Sequence, residues 1–553
     1  MIRNFLPVFF LFLFSFQMVA QDNTVGLLSY DITRSYQGYT LIYPHNQPSV
    51  FLLDNCGEIV HEWPDSSNFR PGNTAYLMDD GRLIKTKRNA SIAGDSIWAG
   101  GGGAIVEIRD WDNQLLWSYE LNNADARLHH DIEPLPNGNI LMLAWERKTN
   151  AEAIAAGRRP DLLNQTVLWP DYLFEINPTN DEIVWEWYAW DHLIQDFDST
   201  KQNYGVVSEH PELIDLNWDT NDAKADWMHS NAIDFNNELN QVMISVPQFH
   251  EIWVIDHSTT TAQAASSNGG RSNKGGDLLY RVGNQQAYKK GDADDQILFY
   301  QHDTHWANEF LPDNHPFAGH MVCFNNRVGP DFSTVEIFEA PWNMYITDYE
   351  PFDGTWPPYE FTNTIYHPDT TAVYSTGLSS AQLLPNGNTL ICSGRQGYIF
   401  ELTPSNEIVW EYVTPLKRGA SVTQGDSLVL NDNLTFRAFR YPPEYSAFDN
   451  RDLTPSGYIE LEPEEDFCNK ITSVNFPEEY DFALYPNPSN GFIHLTWNTG
   501  EIIDIKVTDM LGRTRILERG NGGMKYLDVS SLEANIYFVI IDNKWIKKLV
   551  LQR

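Results

Sequence analysis

Three histidine-bearing phrases stand out among the 15 histidines of this 553-residue chain, because each precedes a short apolar strand at the same stage. They are His129-His130-Asp131, Trp227-Met228-His229-Ser230-Asn231 and Tyr300-Gln301-His302-Asp303. Neighbouring imidazoles repel once protonated, so histidines gathered in one place need a chemical reason. Two chemistries compete. Neutral histidines with Asp131 and Asp303 could ligate a metal, yet neither His-Glu-x-x-His nor Cys-x-x-Cys occurs. Alternatively, protonated histidines and an arginine could clamp a sulfate or phosphate while one neutral histidine attacks as nucleophile. Arg327, after Cys323-Phe324-Asn325-Asn326, supplies a planar, permanent cation for that second chemistry. The bland alternative is that each histidine only bonds a neighbouring element. Three equivalent placements count against it. His210, His250, His315, His320, His367 and His494 have no such placement and read as loop or surface residues.

The elements that must position these groups repeat along the chain. Asp54-Asn55-Cys56-Gly57-Glu58-Ile59-Val60-His61-Glu62-Trp63 returns as Asp112 to Trp117, Asn180 to Trp187 and Ser405 to Tyr412. A second phrase, Leu135-Pro136-Asn137-Gly138-Asn139, recurs as Leu384-Pro385-Asn386-Gly387-Asn388. Acidic-apolar strand ends, such as Phe174-Glu175-Ile176 and Phe400-Glu401-Leu402, precede the tryptophan hairpins. Each unit thus reads as strand, Asn-Gly turn, strand, then a second hairpin ending in Trp. Four short strands in fixed order predict a propeller blade. Weaker units near Trp253-Val254-Ile255-Asp256 and Val335-Glu336-Ile337-Phe338 bring the expected number of blades to six. The spacing, roughly 70 residues, exceeds the ~45 of compact blades and predicts long inserted loops. The first strand of each blade lines the central channel, so His129, His130, His229 and His302 should converge on one axial pocket. Trp227, Tyr300 and Trp306 are placed to stack on an aromatic ligand there.

Composition bounds the partners. Asp and Glu outnumber Lys and Arg by 75 to 37, a net charge of −38 that disfavours nucleic acid. Aromatic content of 13% excludes a disordered chain. Residues 1–20, with Arg3 before an apolar run and Ala20 at the cut, read as a signal peptide. That run is about 15 residues, shorter than the roughly 20 a spanning helix needs. No later stretch is long and apolar enough to span. Four cysteines are too few for a disulfide scaffold, and Cys323 and Cys392 sit on apolar strands as expected buried thiols. Past an acidic, Pro-containing linker at 463–479, residues 480–553 change texture. Tyr485-Pro486-Asn487-Pro488-Ser489-Asn490-Gly491 is turn chemistry, and alternating strands follow to Lys547-Lys548-Leu549-Val550. The expected architecture is all-β: a six-bladed propeller over 25–462, then a small C-terminal β-sandwich.

Two resemblances follow from these phrases. The C-terminal segment, on its Tyr-Pro-Asn-Pro opening and terminal Lys-Lys-Leu strand, is similar to the type A sorting domain of the type IX secretion system. That implies passage through the outer membrane and exposure at the cell surface or release. The histidine phrases, with Val184-Trp185-Glu186-Trp187, Asn325-Asn326-Arg327 and Leu384 to Asn388, resemble the bacterial arylsulfate sulfotransferase family over most of residues 28–445. The resemblance implies a six-bladed propeller that moves a sulfuryl group between phenols through a sulfo-histidine, with no nucleotide donor, cofactor or metal. His229 and His302 match the family's charge-stabilising histidines, and Arg327 its active-site arginine. His129, Asn231, Asp303, Asn326 and Trp227 are the expected substrate contacts, and an aryl sulfate and a phenol acceptor the expected ligands.

One departure matters. The family's nucleophilic histidine should lie just before the turn at Asn386, where this chain reads Ser375-Thr376-Gly377-Leu378-Ser379-Ser380-Ala381-Gln382. His130, with His129 behind it, is the expected substitute. The missing histidine keeps two other functions open: a surface protein that binds sulfated aromatics or glycans without turnover, and a metal-dependent lyase or hydrolase.

Overall fold

The protein is described by a computed structural model covering residues 23–307, 310–472, 482–497, 503–509, 513–541 and 545–552. The expected signal peptide lies outside these residues. The chain divides into two compact units, 1–468 and 469–553.

The larger unit is almost wholly antiparallel β. Its six main sheets are each led by one inner strand: Thr435–Tyr441, Phe69–Leu77, Ala126–Pro134, Ala232–Asn236, His302–Trp306 and Ser380–Leu383. In that order each inner strand touches the next, and the last touches the first, so the six form a ring. Closure is made by exchange between the chain's ends. Thr435–Tyr441 pairs with Tyr39–Pro44 to complete the first sheet, and Gly26–Tyr30 adds a fifth strand to the last.

The repeated phrases have a physical purpose in this ring. Each hairpin tryptophan donates its indole N–H to the equivalent turn of the following sheet. Trp63 bonds Asp110 O (3.2 Å), Trp117 bonds Asp181 Oδ1 (2.7 Å), and Trp185 bonds Thr259 Oγ1 (3.0 Å). Trp410 bonds Asn55 O at 2.8 Å and so stitches the last sheet to the first. The Asn-Gly-Asn turns are held likewise. Asn139 Nδ2 donates to Glu175 Oε1 (2.5 Å) and Asn388 Nδ2 to Glu401 Oε1 (2.6 Å), which satisfies glutamates buried in mid-sheet. Gly138 and Gly387 have φ of 85° and 89°, a left-handed turn that a side chain would strain. These bonds explain why Trp, Glu and Asn recur where apolar residues alone would fill the space.

At the centre, one polar hub replaces an apolar core. The Arg437 guanidinium reaches Asp131 (2.9 Å), Asp303 (2.6 Å) and the Tyr76 hydroxyl. Asp131 also accepts from the backbone N–H of Ile233 at 3.3 Å, and Asp303 from that of Ala381 at 2.9 Å. Each of the six inner strands contributes one group to this hub.

Cys56 is disulfide-bonded to Cys468, tying the end of the larger unit to its first sheet across 412 residues. Cys323 and Cys392 are free and buried. Cys56→Ser is expected to cost about 2–4 kcal/mol, because the crosslink restricts the unfolded chain. Urea unfolding should show that loss in the variant, and reduced wild type should match it. Unchanged unfolding would contradict a stabilising role for the crosslink.

The smaller unit has two sheets, one of Ala483–Tyr485, Phe492–Thr496 and Met524–Asp528, the other of Thr514–Gly520, Ile503–Asp509, Ile536–Ile541 and Trp545–Val550. Both bury alternate residues, among them Ile493, Leu495, Ile505, Val507, Val539 and Leu549, in one shared core. Among the described residues, no helix is long and apolar enough to cross a membrane.

Candidate active site

The histidines enter the ring beside left-handed turns of the backbone, His229 and His302 at strand starts and His130 at an irregularity inside Ala126–Pro134. His130 has φ 50°, His229 57°, Tyr300 61° and Asp303 54°. Non-glycine residues seldom adopt this conformation, and several at one level of a ring mark a place where side chains are re-aimed. The re-aiming brings four imidazoles together. His130 lies 4.6 Å from His229, ring to ring, and His129 contacts His130 with Nδ1 atoms 2.9 Å apart. His302 joins through shared neighbours: Tyr300 is 5.9 Å from its ring and 6.1 Å from that of His229. Phe436 closes the floor, 6.3 Å from both His130 and His302. Arg327, exposed at the mouth, lies 3.6 Å above the Tyr300 ring and donates from Nε to Thr376 O at 3.0 Å.

Their neighbours set different protonation states on these histidines. Burial disfavours the charge on His229, but the Asp226 carboxylate, 2.5 Å from its Nδ1, outweighs burial and raises its pKa. His302 is pushed down to about 3, chiefly by burial, with His229 and Arg327 adding repulsion. His130 falls well below the usual histidine range, first from burial and then from His229 and His129. An imidazole whose pKa is raised thus stands beside two whose pKa is lowered.

The tautomer of His302 follows from its partner. Asn326 Nδ2 donates to Ser375 O (2.8 Å) and Leu378 O (2.9 Å), so its Oδ1 faces His302 Nδ1 at 2.8 Å and accepts the proton there. The lone pair of His302 is therefore on Nε2, which has no partner among the described residues. His130 is less free. Its Nε2 packs so closely on Gly101 that a Cβ there would sit 1.9 Å away. His129 stacks on Trp145 at 4.0 Å and lies 3.4 Å from Asp171.

The other expected contacts are placed differently. Asn231 is fully buried and donates to Gln301 O at 2.9 Å, joining two sheets. Asp303 turns away from His302 to the Arg437 hub. Trp227 is packed in the core, donating to Trp218 O at 2.8 Å. Trp306 lines a separate cavity of about 650 Å³ with Asp303, His305 and Arg437, and none of His130, His229, His302 or Arg327 borders it. Tyr300 alone of the three proposed aromatics stands at the histidines.

The stretch without a histidine is used as backbone support. The Ser379 hydroxyl accepts from Gly394 N (2.9 Å) and the Ser380 hydroxyl from Ala438 N (3.2 Å). His367 packs on Phe400 and bonds Asp369 O, within a different part of the last sheet pair. Among the described residues, no group of three or more His, Cys, Asp or Glu side chains could hold a metal ion.

Sequence reasoning missed Asp226 and Phe436. Asp226 was findable, since it precedes His229 by one turn's spacing. Phe436 comes from a distant segment and carries no local signal. His250, read as a loop residue, accepts from Tyr300 N at 3.0 Å and so holds the aromatic wall.

Residues 30–345, more than half of the chain, match the arylsulfotransferase (ASST) family, and the chain belongs to that family. Residues 483–552 match the secretion-system C-terminal sorting domain, the type IX sorting tail, which marks the protein for export to the cell surface or secretion. No curated protein matches the chain. Solved structures resemble it only distantly. A protein of unknown function from Bacteroides caccae has 12% identity and a TM-score of 0.37, over 68% of this chain and 94% of that one. A streptogramin B lyase has 10% identity and a TM-score of 0.34, over 76% and 96%. Virginiamycin B lyase from Staphylococcus aureus has 14% identity and a TM-score of 0.30, over 72% and 87%.

Proposed function

We propose that the chain transfers a sulfuryl group from an aryl sulfate to a phenol, without a nucleotide donor, with His302 as the group that carries it. The six sheets are read as six blades of one propeller over 25–462, 463–479 as a linker, and 480–553 as a sandwich recognised by the secretion machinery. The observation that carries the proposal is the pairing of opposites around one ring: His302, held neutral, shares Tyr300 with Arg327 and with His229, whose pKa is raised.

The cycle balances on these residues. The His302 Nε2 lone pair forms an N–S bond as the S–O bond to the donor phenol breaks. His229 gives its Nε2 proton to the departing phenolate, and Arg327 holds the sulfuryl oxygens. A second phenol then attacks sulfur, the N–S bond breaks, and His229 recovers its proton from the incoming hydroxyl. His130, the substitute expected from sequence, supports the site as a neutral neighbour that adds no repulsion.

The direct test is transfer from 4-nitrophenyl sulfate to phenol, with and without chelator. Transfer indifferent to chelator is expected. Loss of turnover on chelation would favour the metal-dependent reading, and binding without turnover the surface binding protein.

The role of His229 predicts a pH dependence. Its raised pKa keeps it protonated above the ordinary histidine range, and release of a poor leaving group should fail as pH rises through that value. Asp226→Asn removes the carboxylate that raises it, so the alkaline limit for phenyl sulfate should move to lower pH. The limit for 4-nitrophenyl sulfate, whose leaving group needs little protonation, should hardly move. An unmoved limit with phenyl sulfate would show that His229 is not the proton donor.

A further inference from the structure

Among the described residues, Arg327 and Arg395 make no salt bridge; they donate to Thr376 O and Asn431 Oδ1 instead. Arg327 belongs to the site already described. Arg395 lies on the turn after Thr389–Ser393, near Arg327 and Tyr300. Its Nη1 donates to Asn431 Oδ1 at 3.0 Å. Its Nε is buried without a partner, an uncommon state for a guanidinium in a folded protein. Nε and Nη2 lie on one edge of the guanidinium, the fork that receives a carboxylate in two parallel bonds. That fork is unused.

Gly377 keeps the space beside it open. A Cβ on Gly377 would stand 3.6 Å from Arg395 Nη2 and 3.7 Å from His302 Cε1, so the same small volume borders both groups. A second orphan lies on the adjoining side. His45 Nε2 is buried with no hydrogen bond within 3.5 Å, and Asn73 stands beside the ring. Its backbone N–H bonds Leu434 O at 2.8 Å, while Asn431 N bonds Arg395 O at 2.9 Å, so one short segment carries both supports. The groups facing Arg395 are thus Arg327, Tyr300, His302 and His45, with no acid among them.

We propose that Arg395 and His45 form a second anion subsite beside the sulfuryl site, so that the preferred donors are aryl sulfates bearing a ring carboxylate. The inference rests on the sulfotransferase reading, since it places one end of the ligand at His302. The sulfate would sit between His302, His229 and Arg327. The ring would lie against Tyr300, and the carboxylate would take the Nε/Nη2 fork of Arg395 over Gly377.

The test compares binding of phenyl sulfate and 3-carboxyphenyl sulfate by calorimetry to full-length wild type, Arg395→Gln and Gly377→Ala. Wild type should bind the carboxylated ligand more tightly. Arg395→Gln should weaken that ligand about 10–100-fold, the size of a lost charged hydrogen bond, and leave phenyl sulfate unchanged. Gly377→Ala, which keeps every charge, should also weaken the carboxylated ligand more than phenyl sulfate. Equal affinities in wild type, or equal losses for both ligands in Arg395→Gln, would overturn the subsite. The underlying reading is separable: wild type that binds neither ligand, or that transfers no sulfuryl group from phenyl sulfate to a phenol, counts against the sulfuryl site itself.

Discussion

Replacing His302 by Ala is expected to lower sulfuryl transfer at least about 10²–10³-fold, the usual cost of one lost transition-state group. The loss should be larger if His302 also carries the sulfuryl group, because no neighbouring hydroxyl can substitute. Ser379 and Ser380 are bound to backbone N–H groups, and His130 Nε2 faces Gly101. His302→Gln should distinguish the two roles. Glutamine keeps a hydrogen-bond donor and could stabilise charge, but it cannot form a reactive sulfo-imidazole. Near-complete loss in both variants is the outcome expected for a carrier, and partial recovery in the glutamine variant would mean that His302 only stabilises charge. Quenching wild type with aryl sulfate and no acceptor should add the mass of one sulfuryl group to the peptide holding His302. The same adduct on the peptide holding His129 and His130 would restore the assignment expected from sequence. Asn326→Ala offers a milder control. It frees the His302 tautomer without removing the ring, so it should lower turnover while leaving ligand binding in place.

The second large effect concerns stability. Arg437→Met should destabilise the larger unit by about 3–5 kcal/mol, because it leaves Asp131 and Asp303 buried without their cation. Removing all three charges together, in Arg437→Met with Asp131→Asn and Asp303→Asn, should recover much of that loss. Each desolvated carboxylate is then a neutral amide that can still accept from Ile233 or Ala381 N–H. Urea unfolding of the full chain checks both variants on the transition of the larger unit. A single variant as stable as wild type would show that the hub is solvated and its charges are screened. The hub also accounts for Asp303. Its carboxylate looked available to substrate beside His302 in sequence, but the left-handed turn at Asp303 sends it to the ring's centre instead.

Much of this organisation was legible without coordinates, because it is written in local repeats. The tryptophan hairpins and Asn-Gly-Asn turns are local motifs; the tryptophans bond equivalent turns one repeat on, and the asparagines bond glutamates of their own sheet. A periodic sequence therefore implied a periodic structure. The same logic placed His130, His229 and His302 on or beside inner strands, and Asn326-Arg327 just past the end of a neighbouring strand. The sorting tail was readable for the same reason, since its turn and alternating strands are contiguous.

What the sequence by itself determined was the repeated hairpin units, their order and the phrases that carry histidine. Only the tertiary structure decided what each histidine can do. The charge on His229 depends on Asp226 and on burial, and the lone pair of His302 depends on Asn326, which is fixed in turn by Ser375 and Leu378 of the next sheet. Arg395, Phe436 and Arg437 reach the ring from segments far along the chain and repeat nothing. Protonation and tautomer are properties of an environment, and an environment is assembled across sheets rather than along a strand.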